Sequence, residues 1–566
     1  MYLRTTQRRN ADGSVVQYHQ LAENAWDPKK RCAVAKVVYN FGRADQLDRA
    51  ALQRLARSIL RVFSSEDALA AEPDVLVLDA WPYGGLWVLD ALWRELEIPA
   101  VIEAHARSQR TSQPFERALF AMVANRALSP SSKLGCQTRW LESGVFFPGH
   151  EQLALQHLYR ALDFLDRHKA AIEQAIYFRM ADLLNVDVDL IFYDTTSLHF
   201  EIDEENDEEV SAAAGEAVSA APSRVALRRR GHSKNGRSDA PQIVIGLAVT
   251  RDGMPVRSWV FPGNTADVAT VERVKADLRG WRLGRCVFVA DAGVNSAANR
   301  RTLSLGGGKY ILSSRMRAGD EVTAQVLTRA GRYQRVADNL EVKEVVVGEG
   351  ERRQRYVVCY NSHEAERQRR HRERRLSELH AELDSLRQPE GGVGHAKRAC
   401  ALLVSGRYGR YLRQTSRGLL KIDRAAIAAE AKLDGKWVVT SNDDSLSAED
   451  LALGYKQLMR VEQCWRTMKS GLRTRPVFHW TPPRIGAHIT LCVLALLLER
   501  IAERRAGDTW RNLLAQLDRV KVVEYERAGT RVCQTTELRG ALPELLRRLQ
   551  VPPPPKLHHV GPTAAA

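Results

Sequence analysis

Residues 190–200 read LIFYDTTSLHF, a short apolar run that carries a single carboxylate, Asp194. A run of this length, rich in β-branched and aromatic residues, predicts a buried strand. A carboxylate on a buried strand is destabilising unless something compensates its charge. The compensation that we expect is a bound metal ion. Two later acids, Asp291 and Glu462, are the candidates to complete its ligands.

The balance of charge narrows the class of partner. The 566-residue chain has a formal net charge of +16, which favours a polyanionic partner, most often nucleic acid. The alternative is a basic soluble protein without such a partner. The eight cysteines of the chain form no C-x-x-C pair, which argues against a zinc module and favours a reducing cytoplasm. The N-terminus, MYLRTTQRRN, lacks the apolar segment of a signal peptide. The apolar stretch 489–498 is too short to span a membrane and is predicted to be a buried helix.

One predicted helix, SLSAEDLALGYKQLMRVEQCWRTMKS, carries Glu462 midway between Tyr455 and Lys469. An α-helix drifts only about 20° per seven residues, so these three side chains are expected to project from one face. Trp465 belongs to a separate apolar stripe and is interpreted as a core residue. The alternative for Glu462 is an ion pair with Arg466 one turn later, worth a few tenths of a kcal/mol.

The order of the predicted elements brings the three acids together. The chain runs strand, strand, strand, helix, strand, with Asp194 on the first strand and Asp291 at the end of the fourth. Two aspartates so placed, with Glu462 on a late helix, are typical of an RNase H-like catalytic core. Three carboxylates can hold two Mg²⁺ ions about 3.5–4 Å apart over a scissile phosphate. Oxygen ligands suit Mg²⁺, or Mn²⁺ as a substitute, rather than zinc.

Five longer segments resemble a known family, the DDE transposases of the IS4-like insertion sequences, closest to the IS1634 group. They are YDTTSLHF, GHSKNGRSDAPQIVIGLAVTRDGMPV, PGNTAD, VADAGVNSAANR and YKQLMRVEQCWRTMK. The resemblance runs from about residue 187 to residue 500. It implies that Asp194, Asp291 and Glu462 are the catalytic and metal-binding triad. It also implies that Tyr455, Glu462 and Lys469 are three members of the Y-R-E-K signature of the family.

The signature departs from the family at one position, because Leu458 stands where the family has arginine. Arg466 lies near the same helix face, and we assign it to phosphate binding together with Tyr455 and Lys469. His232 and Lys234 lie in a basic loop between the first two core strands, and they are further candidates to contact DNA phosphate. The alternative is a flexible, solvated loop.

The expected fold class is α/β, with an RNase H-like core interrupted by a β-rich insertion and preceded by a small β/α unit and a helical region. Residues 2–40 are predicted to form three antiparallel strands, with the Asp-Gly pair 12–13 as the turn between the first two. Asp267 is interpreted as a carboxylate at a helix start, and residues 201–224, acidic and then Ala/Ser-rich, as a disordered loop. The expected domains are 1–104, an N-terminal β/α region; 105–186, a helical region that either binds DNA ends or packs as a layer; 187–304 and 435–504, the two parts of the core; 305–434, the insertion with a charged helix; and 505–566, a C-terminal helix and disordered tail.

The resemblance implies an enzyme that binds terminal inverted repeats, cleaves DNA and joins the freed 3′-OH to target DNA. Its partners would be double-stranded DNA and a second copy of the chain on paired ends, without a membrane, in the cytoplasm. Two alternatives remain. One is an RNase H-like nuclease that cuts and never joins, and the other is a DNA-binding protein that has lost catalysis.

Overall fold

A computed structural model describes most of the chain. The residues outside the description are 11–14, 61, 63–74, 109–112, 185–188, 207–225, 235, 282, 284–285, 317–321, 351–352, 388–392, 417, 528 and 563–566. The larger part of the predicted loop at 201–224 therefore lies outside the described residues, as does the Asp-Gly turn expected near residue 12.

The chain divides into two compact units. The first comprises Met1–Asp79, Glu524–Cys533 and His559–Ala566, and the second comprises Ala80–Val523 and Gln534–His558. The described part of the first unit contains the antiparallel sheet that the sequence predicts, with its strands in the order β1-β2-β3. The bounds are β1 Tyr2–Arg9, β2 Val15–Asp27 and β3 Cys32–Arg43, followed by a helix at Arg49–Leu60. The division between the units falls within four strands, β4 Leu76–Pro82, β16 Lys521–Arg527, β17 Thr530–Thr535 and β18 Leu557–Pro562.

A nine-stranded sheet dominates the described part of the second unit. Its order is β10-β11-β12-β15-β9-β8-β5-β6-β7. The bounds are β5 Leu190–His199, β6 Gln242–Val249, β7 Pro255–Pro262, β8 Val287–Ala290, β9 Lys309–Ser314, β10 Gln334–Ala337, β11 Leu340–Val347, β12 Gln354–Tyr360 and β15 Lys436–Ser441. The β5–β8 and β8–β9 pairs are parallel, and the other pairs are antiparallel. The mixed sheet and its helices confirm the predicted α/β class.

Central strands of this sheet are buried on both faces. All eight residues of β6 are buried, as are eight of the ten residues of β5. Continuous burial explains why these strands are apolar runs rather than alternating patterns. Both edges of the sheet are guarded, since β10 has only four residues and β7 begins with Pro255 and ends with Pro262.

Helices cover this sheet and fill the second unit. Their bounds are Gly84–Glu95, Ile98–Ser108, Phe115–Leu128, Lys133–Gly135, Leu155–Leu183, Val271–Gly280, Ala297–Ser304, Ser362–Arg387, Val393–Val404, Arg424–Ala431, Ala448–Lys456, Met459–Arg466, Pro482–Ala506, Trp510–Leu517 and Leu542–Leu549. Three π-helices lie at Cys136–Gly144, Val322–Val326 and Thr467–Gly471 among the described residues. Short 3₁₀ turns and the two-stranded sheet of β13 Leu412–Gln414 and β14 Leu420–Ile422 complete the described elements.

The helix Pro482–Ala506 is the centre of the helical layer and packs against Leu155–Leu183, Phe115–Leu128 and strand β7. Among the described residues it alone is long and apolar enough to cross a membrane, yet 89% of its most apolar window is buried inside the protein. This burial confirms the buried helix predicted at 489–498.

The segment expected to form an insertion contributes to the main sheet. Strands β10, β11 and β12 continue it through the pairing of β12 with β15, for example Val357 opposite Val439. The charged helix Ser362–Arg387 buries Leu379 and Leu383 against Tyr411 in a separate small core.

The C-terminal segment differs from the expected helix and disordered tail. It contains β16, β17, the helix Leu542–Leu549 and β18. The proline run at 552–555 was interpreted as disordered because extended proline has no internal hydrogen bonds. Here its carbonyls find partners elsewhere, since Trp87 Nε1 donates to the Pro552 oxygen at 2.7 Å and Thr535 Oγ1 donates to the Pro555 oxygen at 2.7 Å.

Gly263, in the PGNTAD segment, lies where no side chain fits. A Cβ there would lie 2.1 Å from the Gln242 oxygen and 2.2 Å from the Arg229 oxygen. We expect Gly263→Ala to lower the free energy of unfolding by roughly 1–3 kcal/mol or more, measured by denaturant titration, because the strand must shift. Gly280→Ala is the matched control, since a Cβ at Gly280 meets nothing within 4 Å. Equal stability of the two variants would contradict this account.

Candidate active site

Strand register brings Asp194 and Asp291 to the same point of the sheet. Tyr193 on β5 lies opposite Ala290 on the parallel strand β8, and each aspartate is the next residue of its chain. Asp194 is partly buried, whereas Asp291 is exposed. The sequence predicted this pair from the strand order, and adjacent parallel strands provide the geometry.

The charge of Asp194 is costly in this position. Burial raises the pKa of Asp194 to about 6; Lys234 and a backbone hydrogen bond from Thr195 oppose the rise, and the negative charges of Asp291 and Asp267 add to it. The site therefore holds a carboxylate that gains from a nearby positive charge.

The segment that carries Glu462 is not the single helix that the sequence predicted. It consists of Ala448–Lys456, Met459–Arg466 and the π-helix Thr467–Gly471. At the break, the Leu458 N–H donates to the Tyr455 oxygen at 2.9 Å, a three-residue bond that tightens the turn.

Tyr455 and Lys469 nevertheless both reach the sheet at the two aspartates. Tyr455 Oη donates to Asp291 Oδ1 at 3.1 Å. Its pKa is raised by burial and by the charges of Asp291 and Glu462. Lys469 Nζ donates to Thr196 Oγ1 at 2.6 Å, two residues after Asp194. Burial lowers the pKa of the Lys469 ammonium, as does the charge of nearby Arg475, while Asp194 opposes the shift.

Glu462 is exposed and belongs to no ion pair among the described residues. The alternative pairing with Arg466 is therefore not formed. Arg466 is exposed on the same short helix, one turn after Glu462, whereas Leu458, at the arginine position of the family signature, is buried. Leu458 accordingly offers no contact to a ligand at the surface.

Trp465 has a second role that sequence reasoning missed. Its ring is buried, as expected of a core residue, and its Nε1–H also donates to Asp194 Oδ2 at 3.2 Å. This bond ties the helix of Glu462 directly to strand β5. A lone tryptophan in an apolar stripe gives no sequence signal for such a contact.

Asp267 was also missed, because its place at a helix start explained it locally. In the structure its Oδ1 accepts from Thr195 Oγ1 at 2.5 Å, and its Oδ2 lies 2.9 Å from Lys234 Nζ. The same ammonium donates to the Thr195 carbonyl oxygen at 2.9 Å and to Thr195 Oγ1 at 2.6 Å. Three acceptors thus surround the three N–H donors of Lys234.

A cavity of about 670 Å³ opens beside these residues. His232, Lys234, Arg300, Arg315 and Asp267 lie on its wall, together with the residues that follow Asp291. Lys234 is paired with Asp267, so Arg300 and Arg315 are the cations that make the cavity suited to an anion such as phosphate.

The donor set fits a divalent metal ion in its chemistry, although no three His, Cys, Asp or Glu side chains of the described residues lie close enough to hold one. Asp194 and Asp291 offer carboxylate oxygens next to each other, and their mutual repulsion is the kind that a cation relieves. Glu462 carries a further carboxylate on the helix Met459–Arg466, exposed and outside any ion pair among the described residues.

Two family profiles match the chain. Residues 3–72 match the N-terminal domain of IS1634 family transposases, and residues 218–498 match the transposase DDE domain. The chain is a DDE transposase of the IS1634 group. Asp291 and Glu462 lie inside the DDE match, and Asp194 lies ahead of its start.

More distant comparisons add little to this assignment. No curated protein matches the transposase. Among solved structures, a piggyBac transposase synaptic complex with hairpin DNA is similar at 8% identity and a TM-score of 0.34, covering 72% of this chain and 71% of that one. That score is too low to assign a shared fold.

The protonation of Asp194 should be visible in the stability of the transposase. Between the ordinary carboxyl pKa of 3.8 and about 6, the folded protein binds more protons than the unfolded chain, so its stability falls as pH rises through this window. Asp194→Asn should therefore stabilise the protein by about 1–2 kcal/mol at pH 7.5, with the gain shrinking towards pH 4.5. Thermal unfolding across this range measures it, and a gain independent of pH would contradict the assignment.

Lys234 and Arg466 should behave differently on substitution, because only Lys234 is surrounded by protein acceptors. We expect Lys234→Met to lower the free energy of unfolding by about 1–2 kcal/mol, since Asp267 loses its cation. Arg466→Met should leave stability within about 0.5 kcal/mol. If Arg466 contacts DNA phosphate, Arg466→Met should reduce the slope of log K for DNA binding against log salt by about 1. Lys234→Met should leave this slope unchanged.

Proposed function

We propose that the transposase binds the terminal inverted repeats of its insertion sequence, cleaves a DNA strand at each end and joins the freed 3′-OH to target DNA. The observation that carries the proposal is the meeting of Asp194, in the middle of β5, with Asp291, which directly follows the parallel strand β8. Tyr455 links Asp291 to the helix segment of Glu462. The work would take place on cytoplasmic DNA.

We further propose that the catalytic core is RNase H-like. The part of the sheet in the order β7-β6-β5-β8-β9 supports it, with three antiparallel strands followed by two parallel ones. In this proposal the core comprises 187–304 and 435–504, and 305–434 is an insertion whose strands extend the core sheet. Residues 1–104 and 105–186 remain candidates for accessory and DNA-end-binding regions.

Each site residue then has a chemical task. Asp194, Asp291 and Glu462 would hold two Mg²⁺ or Mn²⁺ ions, which supply charge to the attacking and leaving oxygens of an in-line displacement. Trp465 and Lys234 keep Asp194 and its strand in place. Cleavage breaks the bond from phosphorus to the 3′ oxygen as a water oxygen bonds to phosphorus, and joining repeats the displacement with the 3′-OH as the nucleophile.

The cationic residues would hold the DNA around the reacting phosphate. Lys469 and Arg466 flank the glutamate along its helical segment, and His232 lies on the wall of the adjacent cavity. Such contacts position the DNA backbone without specifying its sequence. Since two ends must be cut and joined together, we propose that the active form is a homodimer on paired ends.

A strand-transfer assay tests the proposal, with the transposase, a labelled duplex of its terminal repeat, plasmid target and Mg²⁺ or Mn²⁺. We expect cleavage and joined products from the wild type. Asp194→Asn, Asp291→Asn and Glu462→Gln should each reduce both steps at least about 100-fold while retaining DNA binding, because each removes a carboxylate that acts on the developing charge. Mg²⁺ should also raise the Tm of the wild type more than that of Asp194→Asn.

The outcomes separate the alternatives. Cleavage without joining would replace the proposal with an RNase H-like nuclease. Binding of terminal repeats without cleavage in either metal would indicate a protein that has lost catalysis. Metal-dependent nicking that persists in Asp194→Asn or Glu462→Gln would remove these residues from the site.

A further inference from the structure

A groove crosses the surface of the second unit beside the turn at 129–131. Two cavities of about 630 and 710 Å³ share Leu128, Ser129 and Pro130 on their walls. The first is also lined by Arg139 and Lys521, and the second by Arg473 and Arg511. We call these two cavities together the basic groove.

Three of the four cations of the basic groove, Arg139, Arg473 and Arg511, have no acidic partner among the described residues, whereas Lys521 interacts electrostatically with Asp518. Arg139, Lys521, Arg473 and Arg511 are exposed, and none of them forms an ion pair with a described residue. One acid, Asp518, lines the first cavity, and none lines the second.

Arginines on the neighbouring helix Pro482–Ala506 show that pairing is the rule nearby. Arg484, Arg500, Arg504 and Arg505 bond, in that order, to Asp163, Glu503, Asp252 and Glu95. Arg139, Arg473 and Arg511 are thus left without acids in a region where other arginines have them. Three such charges around one groove, with Lys521 beside them, favour a polyanionic ligand.

A buried arginine builds this groove. Arg126 donates through Nη1 to the Leu472 and Arg473 oxygens, at 3.3 and 3.0 Å, and through Nη2 to the Ser131 oxygen at 2.7 Å. One buried guanidinium therefore fixes both walls. Arg473 itself has a φ of 44°, in the left-handed region that arginine rarely adopts. The bonds from Arg126 stabilise this backbone and so keep Arg473 on the wall of the groove.

The basic groove begins where the candidate active site ends. Ser470 and Gly471 line its second cavity and directly follow Lys469, which bonds to Thr196. Eight residues of helical backbone separate Ser470 from Glu462, a length of about 12 Å. Duplex DNA carries a phosphate charge about every 1.7 Å of its axis, so DNA held at the site extends past this distance.

We infer that the basic groove binds the phosphodiester backbone of the DNA that flanks the scissile phosphate. This inference rests on the proposed function, because it takes the ligand of the groove to be the same DNA that is cleaved. Arginines and serine hydroxyls that contact phosphate give affinity and register rather than sequence preference. The bound duplex thus extends from the catalytic carboxylates along the basic groove.

The test compares DNA binding of Arg473→Gln/Arg511→Gln with that of the wild type across a series of salt concentrations, using the full chain and a terminal-repeat duplex with EDTA present. We expect several-fold weaker binding of both the repeat duplex and an unrelated duplex. The slope of log K against log salt should fall by about 2, one for each lost contact.

Arg539→Gln/Arg547→Gln is the matched control. It removes the same charge from two exposed arginines that are paired with Glu537 and Glu544. The control should keep the wild-type slope. Arg139→Gln, at the far end of the groove, gives an independent measurement with an expected fall of about 1.

The outcomes distinguish the groove from the proposed function. The groove is overturned if the double variant keeps the slope and affinity of the wild type, or if the slope of the control falls by the same amount. In either case, cleavage and joining by the wild type would still support the proposed function. A reduced slope with a wild type that neither cleaves nor joins sustains the groove and refutes the function. A Tm equal to that of the wild type shows that the double variant is folded.

Discussion

The cost of placing Asp194 on a buried strand beside Asp291 is the constraint on which the described site depends. Burial and the neighbouring charge both disfavour its ionised form. Two neighbouring residues stabilise the ionised form, because Trp465 donates a hydrogen bond to the carboxylate and Lys234 supplies a positive charge. Neither contact removes the repulsion between two adjacent carboxylates. The fold thus maintains a site that a cation would stabilise.

The second unit places these groups by combining two kinds of geometry. Parallel strands set the two aspartates side by side through main-chain register, which the apolar side chains of the buried strands specify. Helical segments bring Tyr455, Trp465 and Lys469 to the two central strands through three separate hydrogen bonds. The segment is interrupted after Lys456, so these contacts are made by three consecutive helical pieces and not by one continuous helix with a seven-residue repeat.

Sequence reasoning succeeded where the signal is local and failed where it is not. The strand around Asp194 and the buried helix Pro482–Ala506 follow from unbroken apolar runs. The position of Asp267 at a helix start explains a carboxylate there without any further contact. Its bonds to Thr195 and Lys234 could not be predicted because they join residues far apart in sequence. The C-terminal strands were not predicted for the same reason. The proline run between them is held by Trp87 and Thr535, which are distant in sequence.

The two edges of the large sheet bear on how copies of the transposase can associate. Strand β7 starts and stops with proline, which has no N–H to offer an incoming strand, and β10 is only four residues long. Pairing of strands across subunits is therefore disfavoured at both margins. An assembly that joins at this sheet would then depend on contacts between side chains rather than on an added strand.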